Sequence, residues 1–490
     1  MGRNCKNILT PEGIDRRDKG YYSTPSFISQ FITEVMLKIN PKGEYVLDPA
    51  VGKEELLYYF FNAGKKIDSF DIYNYGNYKY SNFRLVDFIE YYCNLQSQII
   101  FNQQINLKYD YYIANPPYNC HEIDYIRNNK RRLNGIFDDI GTHNMYSMFL
   151  AGLIDCAKDG SLIGMIILDS FLTAKMHEGL RKKILENCSI HYLVLCPTDL
   201  FLNQKADVRT CIIILQKGTK YQNKVQVSNR PENKNSLKTL LENKDFTKKN
   251  INDINLKGNE DSFEFIIECS PEIRRLFDFP RLGDLFNCIT GISTGDDTKY
   301  ISKEKNDYYS IPFYKNPGMR RFYTTPDGFL PNDFLEIEGK IKNFMVRNKK
   351  LLFKEGITCS SMGVSFGACY LPPNSTYGVN ANIICSEKEI WWLLSYLNSS
   401  IVSYIVRSCL IRSNMITSGY VSRIPIPSFS ENIKNELSQI SKEAYEKKVS
   451  KNNADIYIDK IDQIIFKYLN ISDDGINEII CFTSNLLKAV

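Results

Sequence analysis

Two consecutive prolines close an apolar run at Asn115-Pro116-Pro117-Tyr118, inside the stretch YYIANPPYNC (111–120). Proline fixes its own backbone, has no N–H to donate, and pushes the residue before it into extended geometry. Asn115 and Pro116 both precede a proline, so this corner is rigid and presents acceptors with almost no donors. The side-chain oxygen of Asn115 and the carbonyl of Pro116 are two acceptors fixed at the end of a strand. Such a pair suits the two hydrogens of an –NH2 group, and the ring of Tyr118 suits a flat base stacked above it. The structural alternative is a turn with Tyr118 as core filler. The residues alone admit either an adenine or a cytosine amine.

A corner of this kind needs a frame. Apolar, β-rich runs occur at 44–48, 67–73, 109–115, 161–168, 190–196 and 210–216, with helical patterns at 26–38, 53–63, 144–158 and 176–187. Several of the runs are continuously apolar, as in strands buried on both faces of a mostly parallel sheet. The alternation predicts an α/β fold, a Rossmann-like open sheet with helices on both faces. Ligands of such sheets bind at the carboxyl ends of the strands near the topological switch point. The runs 44–48, 67–73 and 109–115 all end in polar or Gly/Pro-containing segments, so the expected site lies there.

The 490-residue chain is 43% apolar, which supports full cores and two or three domains. Fourteen cysteines are scattered without a Cys-x-x-Cys pair, beside only four histidines. This fits reduced cytosolic thiols, a cytoplasmic protein, and neither a metal site nor a disulfide framework. No apolar run is long enough to span a membrane, and the start MGRNCKNILT lacks the pattern of a secretory signal. A net charge of +5 permits phosphate contacts without demanding them.

The NPPY corner resembles the catalytic motif of the amino-methyltransferases that act on adenine in DNA. Other elements occur in the order of the gamma class of that family. YYSTPSFISQFI (21–32) resembles its N-terminal segment, where Thr24-Pro25 precedes a helix over the cofactor; the pair also reads as an N-cap with proline in the first turn. VLDPAVGKEELL (46–57) resembles its glycine loop, which implies cofactor contacts from Asp48, Pro49, Ala50 and Gly52. DSFDIY (68–73) supplies Asp71, the implied acid for the ribose hydroxyls, followed by Ile72. LVDFIEYY (85–92) supplies Asp87 and Phe88, the implied contacts to the adenine of the cofactor. In DLFLNQKADVRTCIIILQK (199–217), Phe201 holds the position of the aromatic that packs on the flipped base, opposite Tyr118. The implied cofactor is S-adenosylmethionine. One position departs: Glu54 stands where the family commonly has a second glycine, and a carboxylate there is compatible with a cofactor that carries an ammonium and a sulfonium.

The resemblance divides the chain into a catalytic domain, 1–262, whose polar stretch 217–262 reads as a linker or peripheral segment, and a target-recognition domain, 263–490, of mixed α+β structure with a helical C-terminal part. GISTGDDTKYI, KNPGMRRFY, YLNSSIVSYIV and RIPIP resemble the specificity regions of gamma-class enzymes of restriction-modification and related defence systems. Arg320, Arg321, Lys349 and Lys350 are candidates for phosphate contacts, with ordinary surface charge as the alternative. The expected partners are double-stranded DNA and a separately encoded restriction endonuclease, with no membrane. The motifs begin near residue 21, so a nuclease domain ahead of them in this chain is not expected. The alternatives are a non-catalytic or RNA-directed nucleic-acid-binding protein on the same fold.

Overall fold

The structure is a computed structural model that describes residues 22–98, 107–118, 123–202, 208–259, 261–362, 365–411 and 415–488. The start of the chain, read above for a secretory signal, lies outside the described residues. The chain forms two compact units. One runs to Asn255 and takes back Phe263–Glu268; the other comprises Leu256–Ser262 and Cys269–Val490.

The first unit is built on a nine-strand mixed sheet: β1 (Tyr45–Asp48), β2 (Lys66–Asp71), β3 (Asn82–Leu85), β4 (Tyr111–Ala114), β5 (Leu162–Leu168), β6 (Cys188–Leu195), β7 (Thr210–Lys217), β8 (Lys224–Ser228) and β9 (Thr247–Asn250). The spatial order is β3-β2-β1-β4-β5-β7-β6-β8-β9. β1 pairs in parallel with both β2 and β4, while β7 enters antiparallel between β5 and β6. This is the sheet of the methyltransferase fold, and the α/β expectation holds. The chain leaves β1 towards β2 and β3, then returns to β4 on the other side, so the switch point falls between β1 and β4. Four strands expected from apolar runs, β4, β5, β6 and β7, are buried nearly throughout because helices cover both faces.

The helix Ser26–Ile39 buries Ile28, Phe31, Ile32, Val35 and Met36, a single stripe at helical spacing. It lies close on β5: a Cβ at Gly164 would come within 2.5 Å of Ile32 and 2.7 Å of Met36, so the glycine lets helix and strand touch. This seats the Thr24-Pro25 turn at the mouth of the sheet. Pro25, not Thr24, is the N-cap residue, and Ile28 N–H donates to its carbonyl at 3.0 Å. The helix expected over 53–63 shrinks to Tyr58–Asn62, because Gly52 and Glu54 both adopt left-handed backbone, at φ +54° and +62°, and keep the preceding residues in turns.

Other elements were not legible locally. β3 and the helices Phe88–Gln98 and Asp124–Ile136 lie between the expected runs. The polar stretch 217–262 is no linker over 224–254. It folds into β8, the helix Lys234–Asn243 and β9 at the outer edge of the sheet, where Val225 and Val227 point into the core.

The second unit is mixed α+β. Its four-strand antiparallel sheet has the order Asn287–Ile289, Asn382–Ile384, Gly356–Cys359, Ala368–Leu371. Two smaller sheets accompany it, and the helices Glu387–Asn398, Glu431–Val449, Asp455–Leu469 and Asp473–Lys488 make up much of the rest.

Candidate active site

A cavity of about 370 Å³ opens at the carboxyl ends of β1, β2 and β4, at the switch point. Of the residues singled out from sequence, Thr24, Pro49, Ala50, Gly52, Asp71 and Ile72 line it. So do Asp87, Phe88, Asn115 and Pro117. Pro25, Asp48, Pro116, Tyr118 and Phe201 are not part of its lining. Sequence reading missed Tyr22, Glu55, Tyr73, Tyr75, Tyr125 and Phe149, which also face the space. Tyr73 and Tyr75 carried a signal, since they follow directly on the acid that ends β2.

The loop after β1 is held by carboxylates. Asp71 accepts the backbone N–H of Gly52 on one oxygen and of Tyr73 on the other, both at 2.9 Å, so it ties the glycine turn to the end of β2. Burial pushes its carboxyl up, against the pull of those N–H groups. Asp48 is completely buried. Its Oδ1 accepts Ala50 N–H at 3.0 Å, and its Oδ2 has no hydrogen-bond partner among the described residues. Desolvation raises its carboxyl well above the usual range, with the charges of Asp71, Glu55 and Glu54 adding to the shift.

Glu54 is accommodated without lining the cavity. Its carboxylate is turned to the neighbouring loop, where it accepts Lys79 N–H at 2.6 Å, Tyr80 N–H at 3.0 Å and the Ser81 hydroxyl at 2.7 Å. The residue that breaks the glycine pattern is thus a buried clamp, and the acid lining the cavity at this turn is its neighbour Glu55. The residues fit S-adenosylmethionine. The polar turn and the lining acids Glu55 and Asp71 offer acceptors to an ammonium and a sulfonium, and Phe88, Ile72 and the tyrosines offer flat and apolar surface. Asp87 accepts Ile89 N–H at 2.9 Å and Glu90 N–H at 3.1 Å, which places it at the start of the helix Phe88–Gln98.

Asn115 follows β4. Its Nδ2 donates to the Tyr22 carbonyl at 2.7 Å and to Thr24 Oγ1 at 3.0 Å. Both accept here, so the amide is oriented by its partners and Oδ1 is its acceptor end. Oδ1 lies 2.5 Å from the Tyr118 hydroxyl, which is also 3.2 Å from the Ile166 carbonyl. Thr24 therefore serves as a hydrogen-bond acceptor for Asn115. The expected pair of stacking walls is not set up as such. Tyr118 and Phe201 have ring centroids 6.5 Å apart at 66°, an edge contact that leaves no parallel slot. The ring of Tyr22 lies on Tyr118, at 5.4 Å and 16°.

In the second unit Arg320, Lys349 and Lys350 are exposed, with Lys349 paired to Glu338 at 2.5 Å. Arg321 differs. It is largely desolvated, which lowers its affinity for a proton, and it faces the carboxylates of Asp462 and Asp455. Among the described residues no cluster of metal-ligating side chains occurs and no helix is long and apolar enough to cross a membrane.

Solved structures share this fold at low identity. The DrdV–DNA complex matches with a TM-score of 0.56 at 11% identity, over 88% of this chain and 58% of that one. The ATP-dependent Type ISP restriction-modification enzyme LlaBIII bound to DNA gives 0.56 at 12%, over 87% and 39%. A nuclease-deletion mutant of the Type ISP enzyme LlaGI, in complex with a DNA substrate mimic, gives 0.52 at 13%, over 86% and 54%. The chain spans between 39% and 58% of the length of these three. Residues 14–264, just over half of the chain, match the family model described as N-6 DNA Methylase, and the chain belongs to that family.

Proposed function

We propose that this chain is a gamma-class, site-specific DNA adenine methyltransferase that modifies N6 of an adenine flipped out of double-stranded DNA. We further propose that it serves as the modification enzyme of a restriction-modification or related defence system. The family implies S-adenosylmethionine-dependent methylation. The observation that carries the finer reading is the oriented amide of Asn115 at the end of β4, opening into the acid-lined cavity at the switch point. The DNA-bound restriction-modification enzymes of similar fold support the choice of DNA.

The chemistry asked of the chain is modest. An exocyclic amine is a poor nucleophile because its lone pair is delocalised into the ring. Asn115 Oδ1 and the Pro116 carbonyl would accept its two hydrogens and favour a pyramidal nitrogen, which frees the lone pair. Because Tyr22 and Thr24 hold Nδ2, the amide cannot turn its donor end to the base without losing two hydrogen bonds. S-adenosylmethionine supplies the methyl group as an electrophile. Glu55 and Asp71 would hold its cationic and ribose portions, with Asp87, Phe88 and Ile72 on its adenine, while Asp48, behind the lining, would hold the turn through Ala50. No covalent enzyme intermediate is needed; positioning and preorganised acceptors account for the rate. The target nitrogen is unreachable within a duplex, which is why the base must leave the stack.

The test is incubation of purified protein with methyl-labelled S-adenosylmethionine and unmethylated DNA or RNA. Label is expected in DNA as N6-methyladenine, with a loss of about 100-fold or more in Asn115→Ala. Label in RNA, or none with the donor bound, would favour the RNA-directed or non-catalytic alternatives.

A further inference from the structure

Three of the groups expected to receive the target base, Asn115 Oδ1, Tyr118 and Phe201, already hold a partner of matching chemistry, and Tyr22 is involved in most of these contacts. The Asn115 oxygen, the acceptor meant for an amine hydrogen, is within 2.5 Å of the Tyr118 hydroxyl. Burial keeps that phenol protonated, so it acts as the donor. The face of Tyr118, meant for the flat base, is covered by the Tyr22 ring in a nearly parallel stack, 16° from coplanar. Phe201, the other expected contact, has its ring centroid 5.8 Å from the same Tyr22 ring. The Tyr22 backbone carbonyl meanwhile accepts from Asn115 Nδ2 at 2.7 Å.

Resting on the methyltransferase reading, we propose that Tyr22 is a base mimic. Its ring occupies the place of the target base on Tyr118 in the base-free protein, and a flipped adenine enters by displacing it while its amine replaces the Tyr118 hydroxyl on Asn115. The backbone carbonyl and the ring of one residue thus do different jobs. The carbonyl holds the Asn115 amide with its acceptor end towards the site whatever the ring does. The ring packs on the face of Tyr118, and a base must exceed that stacking to enter. Tyr22 is accordingly a positioning residue for the base. It raises the threshold for entry, so that only DNA already engaged elsewhere by the protein delivers its adenine.

Side-chain substitution isolates the ring, because the carbonyl that serves Asn115 remains in every variant. The probe is a duplex carrying 2-aminopurine at the adenine identified by methylation mapping, mixed with the full chain; its emission rises when the base leaves the stack. With the wild-type protein emission is expected to rise. With Tyr22→Ala the rise is expected to be larger or faster by about three- to tenfold, the order of one aromatic contact. Tyr22→Phe, which restores the ring, is expected to reverse the change. Tyr22→Leu removes the flat face but keeps apolar bulk, and replaces the alanine variant if thermal melting shows that variant unfolded. Donor affinity, measured by calorimetry, reads separately any effect through the cavity that Tyr22 also lines. An equal or weaker response in the ring-less variants, with wild type responding, overturns the base-mimic role and leaves the methyltransferase reading intact. No response from any variant on bound DNA overturns the base-mimic role too, because no base then exchanges with the ring; the methyltransferase reading fails earlier and separately, if the mapping finds no methylated adenine.

Discussion

At the residue scale, the chemistry rests on side chains whose partners fix their direction. Asn115 was legible because an Asn-Pro-Pro-Tyr corner after an apolar run has few other uses, Asp48 and Asp71 because each stands at the end of a strand-like run, and Asp87 only through the resemblance of LVDFIEYY to a family motif. What the sequence hid was orientation. The bonds from Asn115 to Tyr22 and Thr24 bridge more than ninety residues, and no local pattern announces them. Glu54 is the sharper case. Its type, in place of glycine, was compatible with a cationic cofactor but gave no partner, and its carboxylate ties down the loop at 79–81. Glu54→Gly restores the family's residue and relieves a left-handed backbone, yet takes the acceptor from two partly buried N–H groups and the Ser81 hydroxyl and leaves a void at a buried side chain. It is expected to destabilise the protein by about 2 kcal/mol or more, lowering the melting temperature by roughly 4–8 °C. An unchanged or higher melting temperature in a thermal scan would contradict the clamp.

At the scale of elements, legibility followed burial. Strands covered on both faces write themselves as apolar runs, and β4 to β7 were read within a few residues. β3 and β9 lie at the two edges, where most side chains meet water, so their sequences NFRL and TKKN carry no apolar alternation. The helix Asp124–Ile136 buries only Ile126 and Leu133, too sparse a stripe to show periodicity. The helix Asp455–Leu469 in the second unit offers a test of a different kind. Its Asp462 is buried, and desolvation pushes the carboxyl up to about 6 against the Ser400 hydrogen bonds and the Arg321 charge. A carboxyl raised above its ordinary value of 3.8 favours the fold while protonated; that contribution is complete below 3.8 and lost as pH rises through about 6. Amide protection of this helix, corrected for intrinsic exchange, is expected to fall between about pH 4 and pH 7 by up to roughly 3 kcal/mol of local stability. Asp462→Asn keeps an acceptor for Ser400 and is expected to flatten the profile. The same loss in that variant would assign it to other groups.

At the scale of the whole molecule, the chain pairs a methylase-family unit with a second unit of sheets and helices. Base readout depends on which side chains reach a groove, so the recognition sequence is not written in composition or charge. The proposed phosphate contacts are separable by environment. Removing exposed Arg320 or Lys350 is expected to weaken binding uniformly across sequences and to lower the salt slope by about one each. Arg321→Ala, which removes the positive charge that acts on the desolvated carboxylate of Asp462, is expected to lower stability and to leave the slope unchanged. Binding isotherms at several salt concentrations distinguish the two classes.

The central claim is adenine methylation at a defined site by the Asn115 corner. Its most direct measurement is expression in a methylation-free bacterial host, with wild type and Asn115→Ala side by side, and mapping of modified adenines by direct sequencing. N6-methyladenine confined to one short motif and absent from the Asn115→Ala host is the expected result. Unmodified DNA despite folded, donor-binding protein, or modification that survives Asn115→Ala, would contradict it.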